Sequence, residues 1–171
     1  MMRMIRLIAF FSLIFYFPFF SEAELKVGET APEFKATDHE DNTVDLKNLR
    51  GKWVVLYFYP KDDTPGCTIE AKEFTELYPE FLENNALVFG ISADDKESHC
   101  DFRYKHALKI PLIPDEEKGI MSLYDVQVSG GYASRDTVII DPSGKIAEIY
   151  RKVKPAGHAK EVLEYIKEHS A

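Results

Sequence analysis

Seven consecutive residues, Trp53-Val54-Val55-Leu56-Tyr57-Phe58-Tyr59, offer no polar face. Side chains of a strand alternate between the two sides of a sheet, so such a run is buried only if both sides are covered. The chain must therefore build a layered domain around this segment, with helices or loops on each face. Leu87 to Ser92 is a second run of the same type. Between them, Thr68 to Glu83 spaces Ile69, Phe74, Leu77, Tyr78, Phe81 and Leu82 close to a helical period, with Pro79 expected to kink the helix.

The remaining pattern extends this plan. Phe34 to Thr37 and Thr43 to Asp45 flank a polar turn, Asp38-His39-Glu40-Asp41-Asn42, and read as a hairpin behind an extended lead-in from Leu25 to Glu33. Asp95 to Leu108 reads as a helix with Cys100, Tyr104, Ala107 and Leu108 on its inward stripe, and Glu116 to Tyr124 as a shorter one. Thr137 to Ile140, the turn Asp141-Pro142-Ser143-Gly144, and Lys145 to Tyr150 form a second hairpin. Ala159 to His169 closes the chain as a helix with Val162, Leu163 and Ile166 inward. The expectation is one α/β domain over residues 24–171. Its central mixed sheet is flanked by helices in a thioredoxin-like arrangement, and an N-terminal β-hairpin extends it. No repeat, low-complexity tract or linker divides it.

Residues 1–23 read as a secretory signal peptide. Arg3 and Arg6 precede an almost wholly apolar stretch, Leu7 to Phe20, and Ser21-Glu22-Ala23 supplies small residues at a cleavage site. The competing reading is an uncleaved membrane anchor, but the run is shorter than the roughly 20 residues a spanning helix needs, and Pro18 interrupts its end. Loss of the leader takes the net charge from −8 to −9. An acidic body without a basic cluster argues against nucleic acid or an anionic membrane as partner. Export, to the periplasm if the cell is bacterial, favours structural disulfides, yet only Cys67 and Cys100 are present, which suggests thiol chemistry more than bracing.

Cys67 closes the loop run Pro60 to Cys67 that follows the first buried stretch, directly before a helical segment. Free backbone N–H groups and the positive end of the helix dipole at that point favour an anion, so a thiolate there is a nucleophile. Ionisation alone gives little. Lowering a thiol's pKa from about 8.5 to about 6 raises the thiolate roughly 30-fold at neutral pH, while the accompanying loss of nucleophilicity leaves a net gain of about twofold. Donors aimed at a transition state count for more, on the order of 10²- to 10³-fold each.

Pro60-Lys61-Asp62-Asp63-Thr64-Pro65-Gly66-Cys67 resembles the Pro-x-x-x-Thr-x-x-Cys signature of peroxiredoxins. Continued through Glu70-Ala71, it is similar to the subfamily called bacterioferritin comigratory protein or peroxiredoxin Q. Gly28 to Phe34, Gly90-Ile91-Ser92 and Arg135 to Asp141 carry the likeness across the rest of the chain from Leu25. The resemblance implies reduction of hydrogen peroxide and organic hydroperoxides by Cys67, which becomes a sulfenic acid. It further implies that Thr64 orients the peroxide, that Arg135 holds the sulfur and the peroxide oxygens, and that Pro60 and Pro65 shape and shield the loop. Together with the backbone N–H groups of Gly66 and Cys67, these side chains would form one peroxide-binding cradle. The partners implied are a hydroperoxide and a thioredoxin-like or other thiol reductant. The expected state is a monomer or weak dimer without metal, nucleotide or other cofactor.

Blander roles stand beside each residue. Cys67 could be apolar filler, Thr64 an N-cap, Arg135 a solvated strand-edge charge, and Glu70 a helix-dipole partner or the mate of some cation. Cys100 stays open between a resolving thiol and a buried structural one. Relatives commonly carry a resolving cysteine five residues after the first, which here is Lys72, or on the next helix, nearer Arg103. If Cys100 does resolve, local unwinding is needed, because the two helices are expected at opposite ends of a strand. His99 beside Cys100 makes a poor metal pair, and His39, His106, His158 and His169 read as surface residues. Gly130-Gly131 reads as a flexible turn. A disulfide carrier or thiol-dependent chaperone on the same fold is the alternative function, weakened by Glu70 where an exchange motif would place its second cysteine.

Overall fold

The computed structural model describes residues 24–170. The proposed leader lies outside the described residues. Five strands form the sheet, in the order β5 (Leu112–Pro114), β4 (Ala86–Ser92), β3 (Trp53–Phe58), β8 (Asp136–Ile140) and β9 (Ile146–Tyr150). The apolar run becomes β3 (Trp53–Phe58), buried along its whole length at the centre. It pairs parallel with β4 (Ala86–Ser92) and antiparallel with β8 (Asp136–Ile140), which is joined by a hairpin to β9 (Ile146–Tyr150). The sheet is thus mixed, as expected. β1 (Lys35–Thr37) and β2 (Thr43–Asp45) make the separate N-terminal hairpin, whose turn is tied by the N–H groups of Glu40 and Asn42 to Asp38 Oδ1.

Strand alternation sorts the core into two halves. Trp53, Val55, Tyr57 and Tyr59 face α1 (Pro65–Glu83), α2 (Lys96–His106) and α4 (His158–His169), meeting Phe74, Phe81, Phe102, Val162 and Ile166. Val54, Leu56 and Phe58 face the N-terminal hairpin and α3 (Gly119–Leu123), meeting Phe34, Val44, Met121 and Tyr124. Each fully buried Leu, Ile or Phe contributes about 1.5–3 kcal/mol relative to exposure. Val126 and Ala133 complete the second half-core.

Several elements differ from expectation. α1 runs through Pro79 unbroken and begins at Pro65, three residues early, because a proline at the first helical position is already set at a helical φ and lacks only an N–H the helix would not use. Ile69 and Leu82 of α1 are exposed. α2 turns the other way from the apolar stripe: Cys100 is exposed and Tyr104 is 92 % exposed, whereas His99 and Phe102 are buried. The inward face of α2 carries His99 beside Phe102, and His99 Nδ1 is paired with Asp62. Leu108 is buried but lies beyond the helix, which stops at Ala107 in the left-handed region. α3 is shorter than expected, its start held by Asp115, whose carboxylate accepts from the N–H groups of Ile120 and Met121. The edge strand β5 (Leu112–Pro114) and the two-residue strands β6 (Val128–Ser129) and β7 (Tyr132–Ala133) have no signature in the sequence pattern, the latter pair bracketing Gly130-Gly131.

Because β3 and β4 are parallel, α1 and α2 both start at the same edge of the sheet and lie on the same face. This corrects the expectation that Cys67 and Cys100 sit at opposite ends of a strand.

Candidate active site

The loop after β3 passes through Tyr59, Pro60 and Asp63, the last in the left-handed region at φ 57°, and enters α1. The first bond of the helical ladder runs from Thr68 N–H to Thr64 O (2.9 Å), which leaves the N–H groups of Gly66 and Cys67 ahead of it. Cys67 therefore occupies the third helical position, with its side chain 1 % exposed.

Arg135 lies one residue before β8, the strand next to β3; because Asp136 pairs with Phe58, the start of β8 meets the end of β3 where the Cys67 loop begins. Its Nη2 donates to Cys67 Sγ at 3.4 Å and its Nη1 to Glu70 Oε2 at 2.5 Å. The guanidinium is 14 % exposed and Glu70 is wholly buried. The neighbouring backbone is braced. Val153 N–H donates to Arg135 O, while Asp136, buried beside it, accepts from Ser134 Oγ, Arg151 Nη1 and Lys152 N–H. Gly66 permits the approach, since a Cβ there would lie 3.2 Å from Arg135 Nη2 and 3.5 Å from Pro155 Cγ. Arg135 is thus no solvated edge charge: its guanidinium is aimed at the Cys67 sulfur.

Burial pushes the Glu70 carboxyl up to about 7, against the lowering pull of Arg135. Its second oxygen, Oε1, is buried without a partner. Burial works against the Arg135 charge, yet Glu70 and Cys67 more than offset it, and its pKa is raised. The sequence understates Glu70, because a carboxylate in a first helical turn reads as a dipole partner; only the fold shows the ion pair. The reading that it is the mate of a cation is the one borne out.

Thr64 stands at the N-cap position with extended backbone but makes no capping bond through its side chain. Its hydroxyl donates instead to Lys61 O at 3.0 Å. With the proton so used, the lone pairs of Oγ1 are free to accept a hydrogen bond from a hydroperoxide. Pro60 is half-buried behind the loop; Pro65 is exposed at the mouth as the first helical residue.

Cys100 is a free, exposed thiol whose Sγ–H donates to His39 O at 3.4 Å. That excludes the buried-filler reading. His99 and Cys100 do not converge as a metal pair: His99 is buried against Asp62, while Cys100 is exposed with its sulfur toward His39 O. Two other histidines are corrected from surface to interior. His39 is buried under Arg103, with Nδ1 accepting from Leu112 N–H, and His158 is buried against Thr137 Oγ1. Burial lowers both pKa values, and Arg103 adds to the effect at His39.

Tyr57 forms the floor beneath Cys67, stacked on Phe74 at 4.6 Å between ring centroids. Its hydroxyl is buried without a partner and lies over Gly90, where a Cβ would come within 2.5 Å. Burial, then the nearby carboxylates and sulfur, raise its pKa well above the usual tyrosine range.

A two-layered thioredoxin-like sheet presenting a cysteine at a helix start under an arginine defines a thiol-dependent oxidoreductase, and the chain belongs to the AhpC/TSA family, whose model matches residues 27–149. The chain is 36 % identical over 153 residues to Peroxiredoxin Bcp of Bacillus subtilis, a match covering 85 % of this chain and 98 % of that one. Among solved structures it resembles a mutant of Xylella fastidiosa PrxQ, with TM-score 0.81, 33 % identity, and 87 % and 99 % of the two chains covered. It also resembles the bacterioferritin comigratory protein of Xanthomonas campestris, with TM-score 0.79, 32 % identity, and 85 % and 100 % covered. Within the family it is a peroxiredoxin of the Bcp and Q group, a thiol peroxidase. The disulfide-carrier alternative gains no support from these relatives.

Proposed function

We propose that Cys67 is the peroxidatic sulfur, with Arg135, Thr64 and the N–H groups of Gly66 and Cys67 as its cradle. The observation that carries this reading is the 3.4 Å approach of Arg135 Nη2 to Cys67 Sγ. The thiolate attacks one peroxide oxygen, an S–O bond forms as the O–O bond breaks, and the departing oxygen leaves as hydroxide or alkoxide. It takes up a proton to give water or an alcohol, and Cys67 is left as a sulfenic acid. Arg135 stabilises charge on both sulfur and oxygen as the bond stretches, and Thr64 Oγ1 accepts the O–H of the hydroperoxide. Substrates are hydrogen peroxide and alkyl hydroperoxides; alkyl peroxide reduction is an activity of the Xanthomonas campestris bacterioferritin comigratory protein, which supports the second class.

Cys100 then condenses with the sulfenic acid, releasing water and forming an intramolecular disulfide, which an external thiol reductant returns to two thiols. Both helices start at one sheet edge, which favours this pairing, but a buried Cys67 and an outward Cys100 must move to within α-carbon reach of about 7 Å. The mature chain acts after export and removal of residues 1–23, and its substrate-reactive form is a monomer or weak dimer.

Rapid-mixing oxidation of the reduced chain by hydrogen peroxide tests the first step, with a second-order rate far above that of a free thiol expected. Mass spectrometry after one equivalent tests the second. A Cys67–Cys100 disulfide is expected, and a persistent sulfenic or sulfinic acid at Cys67 would reject it. N-terminal sequencing of the protein recovered outside the cytoplasm tests cleavage, with Glu24 as the expected first residue.

A further inference from the structure

Two consecutive aspartates of the catalytic loop each grip a histidine of α2. Asp62 is buried and accepts three hydrogen bonds, from Tyr59 Oη (2.7 Å), Ser98 Oγ (2.8 Å) and His99 Nδ1 (2.8 Å). A carboxylate has only acceptors to offer, so Nδ1 donates to it, and Nε2 is buried without a partner. The Asp62 N–H donates to Asp94 Oδ2 (2.9 Å), itself fixed by Ser92 Oγ at the end of β4. Asp63 turns outward at positive φ and binds His106 Nε2 (2.6 Å) and Lys105 Nζ. His99 and His106 are seven residues apart and share one face of α2.

The geometry points to these two aspartate–histidine pairs as a clasp that positions the catalytic loop. Neither pair touches the sulfur. Asp63 is followed directly by Thr64 and then by the first turn of α1, so fixing residues 62 and 63 against α2 fixes the entry angle of the turn that sets Cys67 under Arg135. Few other side chains tie the loop down among the described residues: Lys61 lies over the Tyr132 ring at 5.6 Å, and the Thr64 hydroxyl bonds within the loop. A core histidine with an orphaned nitrogen is a poor stabiliser beside an apolar residue of similar size. Its value lies in the carboxylate it immobilises, since a carboxylate with three donors has one orientation.

This inference rests on Cys67 being the peroxidatic sulfur, and the test separates the two. In a Cys100→Ser background, where one thiol reports, two rates are measured on Cys67: oxidation by hydrogen peroxide and alkylation by iodoacetamide. Loosening the clasp spoils the cradle and exposes a sulfur now shielded, so the two rates move in opposite directions. His99→Ala and Asp62→Asn are each expected to slow peroxide oxidation about tenfold and to speed alkylation severalfold. His99→Gln, which keeps a donor toward Asp62, is expected to stay within about threefold of the parent in both. Tyr165→Phe, which removes a 2.9 Å bond to Ala147 O elsewhere in the molecule, is expected to lower Tm and move neither rate.

The clasp is overturned if folded His99→Ala and Asp62→Asn keep both rates within twofold of the parent. Should those buried variants not fold, the surface pair decides: Asp63→Asn with His106→Asn is expected to slow oxidation about threefold and speed alkylation, and unchanged rates would overturn the proposal. A parent chain that reacts with peroxide no faster than a free thiol would instead sink the reading of Cys67, while the alkylation rates still report on the clasp.

Discussion

The two cysteines are opposites in setting. Cys67 is sealed from solvent, in the first turn of a helix, with an arginine N–H aimed at its sulfur. Cys100 stands open on the outer face of α2, its hydrogen bonded to the carbonyl of His39. Accessibility alone would name Cys100 as the reactive thiol. The proposed role of Cys67 rests instead on a donor held in place by a buried partner, Arg135 on Glu70, because a transition state is stabilised by groups already in place, not by contact with water.

The largest test of this contrast is removal of the buried sulfur. Cys67→Ser is expected to drop peroxide consumption to the uncatalysed level, while Cys100 remains titratable by a thiol reagent in the folded protein. Next is the donor: Arg135→Ala is expected to lower the second-order rate of Cys67 oxidation about 10²- to 10³-fold, read by rapid mixing.

The buried carboxylate beside that donor supplies a stability test. Glu70 releases its proton at about 7 in the fold but at 4.5 when unfolded, so between those values the native state holds a proton the unfolded state has lost. Its contribution therefore falls as pH rises through this window, by roughly 3 kcal/mol in all. His39 and His158 act in the opposite sense. Their lowered pKa values mean the unfolded chain binds protons more readily, so their contribution is complete above 6.5 and is lost as pH falls below it. Glu70→Gln removes only the first trend, and its Tm is expected to rise more steeply than the parent's from pH 5 to 7.

Smaller effects sharpen the comparison. Gly66→Ala is expected to slow oxidation several-fold, because the guanidinium must give way by a few tenths of an ångström. Cys100→Ser is expected to leave that first step within about twofold while abolishing disulfide formation, measured by mass spectrometry.

The central strand and its neighbour are legible in the sequence because a two-sided apolar run has few alternatives, and α4 because Val162, Leu163 and Ile166 repeat at helical spacing. β5 is not, since Leu112-Ile113-Pro114 is too short to show a period and owes its pairing to β4. α2 misleads because its buried face carries His99 and His106, whose polarity is matched by aspartates 37 and 43 residues away in the sequence. In the site, Cys67 announces itself through the loop before it. Arg135 is joined to it by family likeness, since nothing in a separation of 68 residues reveals that β8 pairs beside β3 and starts where β3 ends. Glu70 has no weight in the sequence alone, because its burial is a property of the packed domain.

Tyr57, the tyrosine beneath Cys67, also limits how this enzyme can vary. Its ring, together with Leu112, fills the space that any side chain at position 90 would need, so these sites are not free to change one at a time. A mutational scan should find every single replacement of Gly90 deleterious, with tolerance regained only when residue 57 is shortened and Leu112, whose Cδ2 a Cβ there would meet at 2.7 Å, is shortened with it.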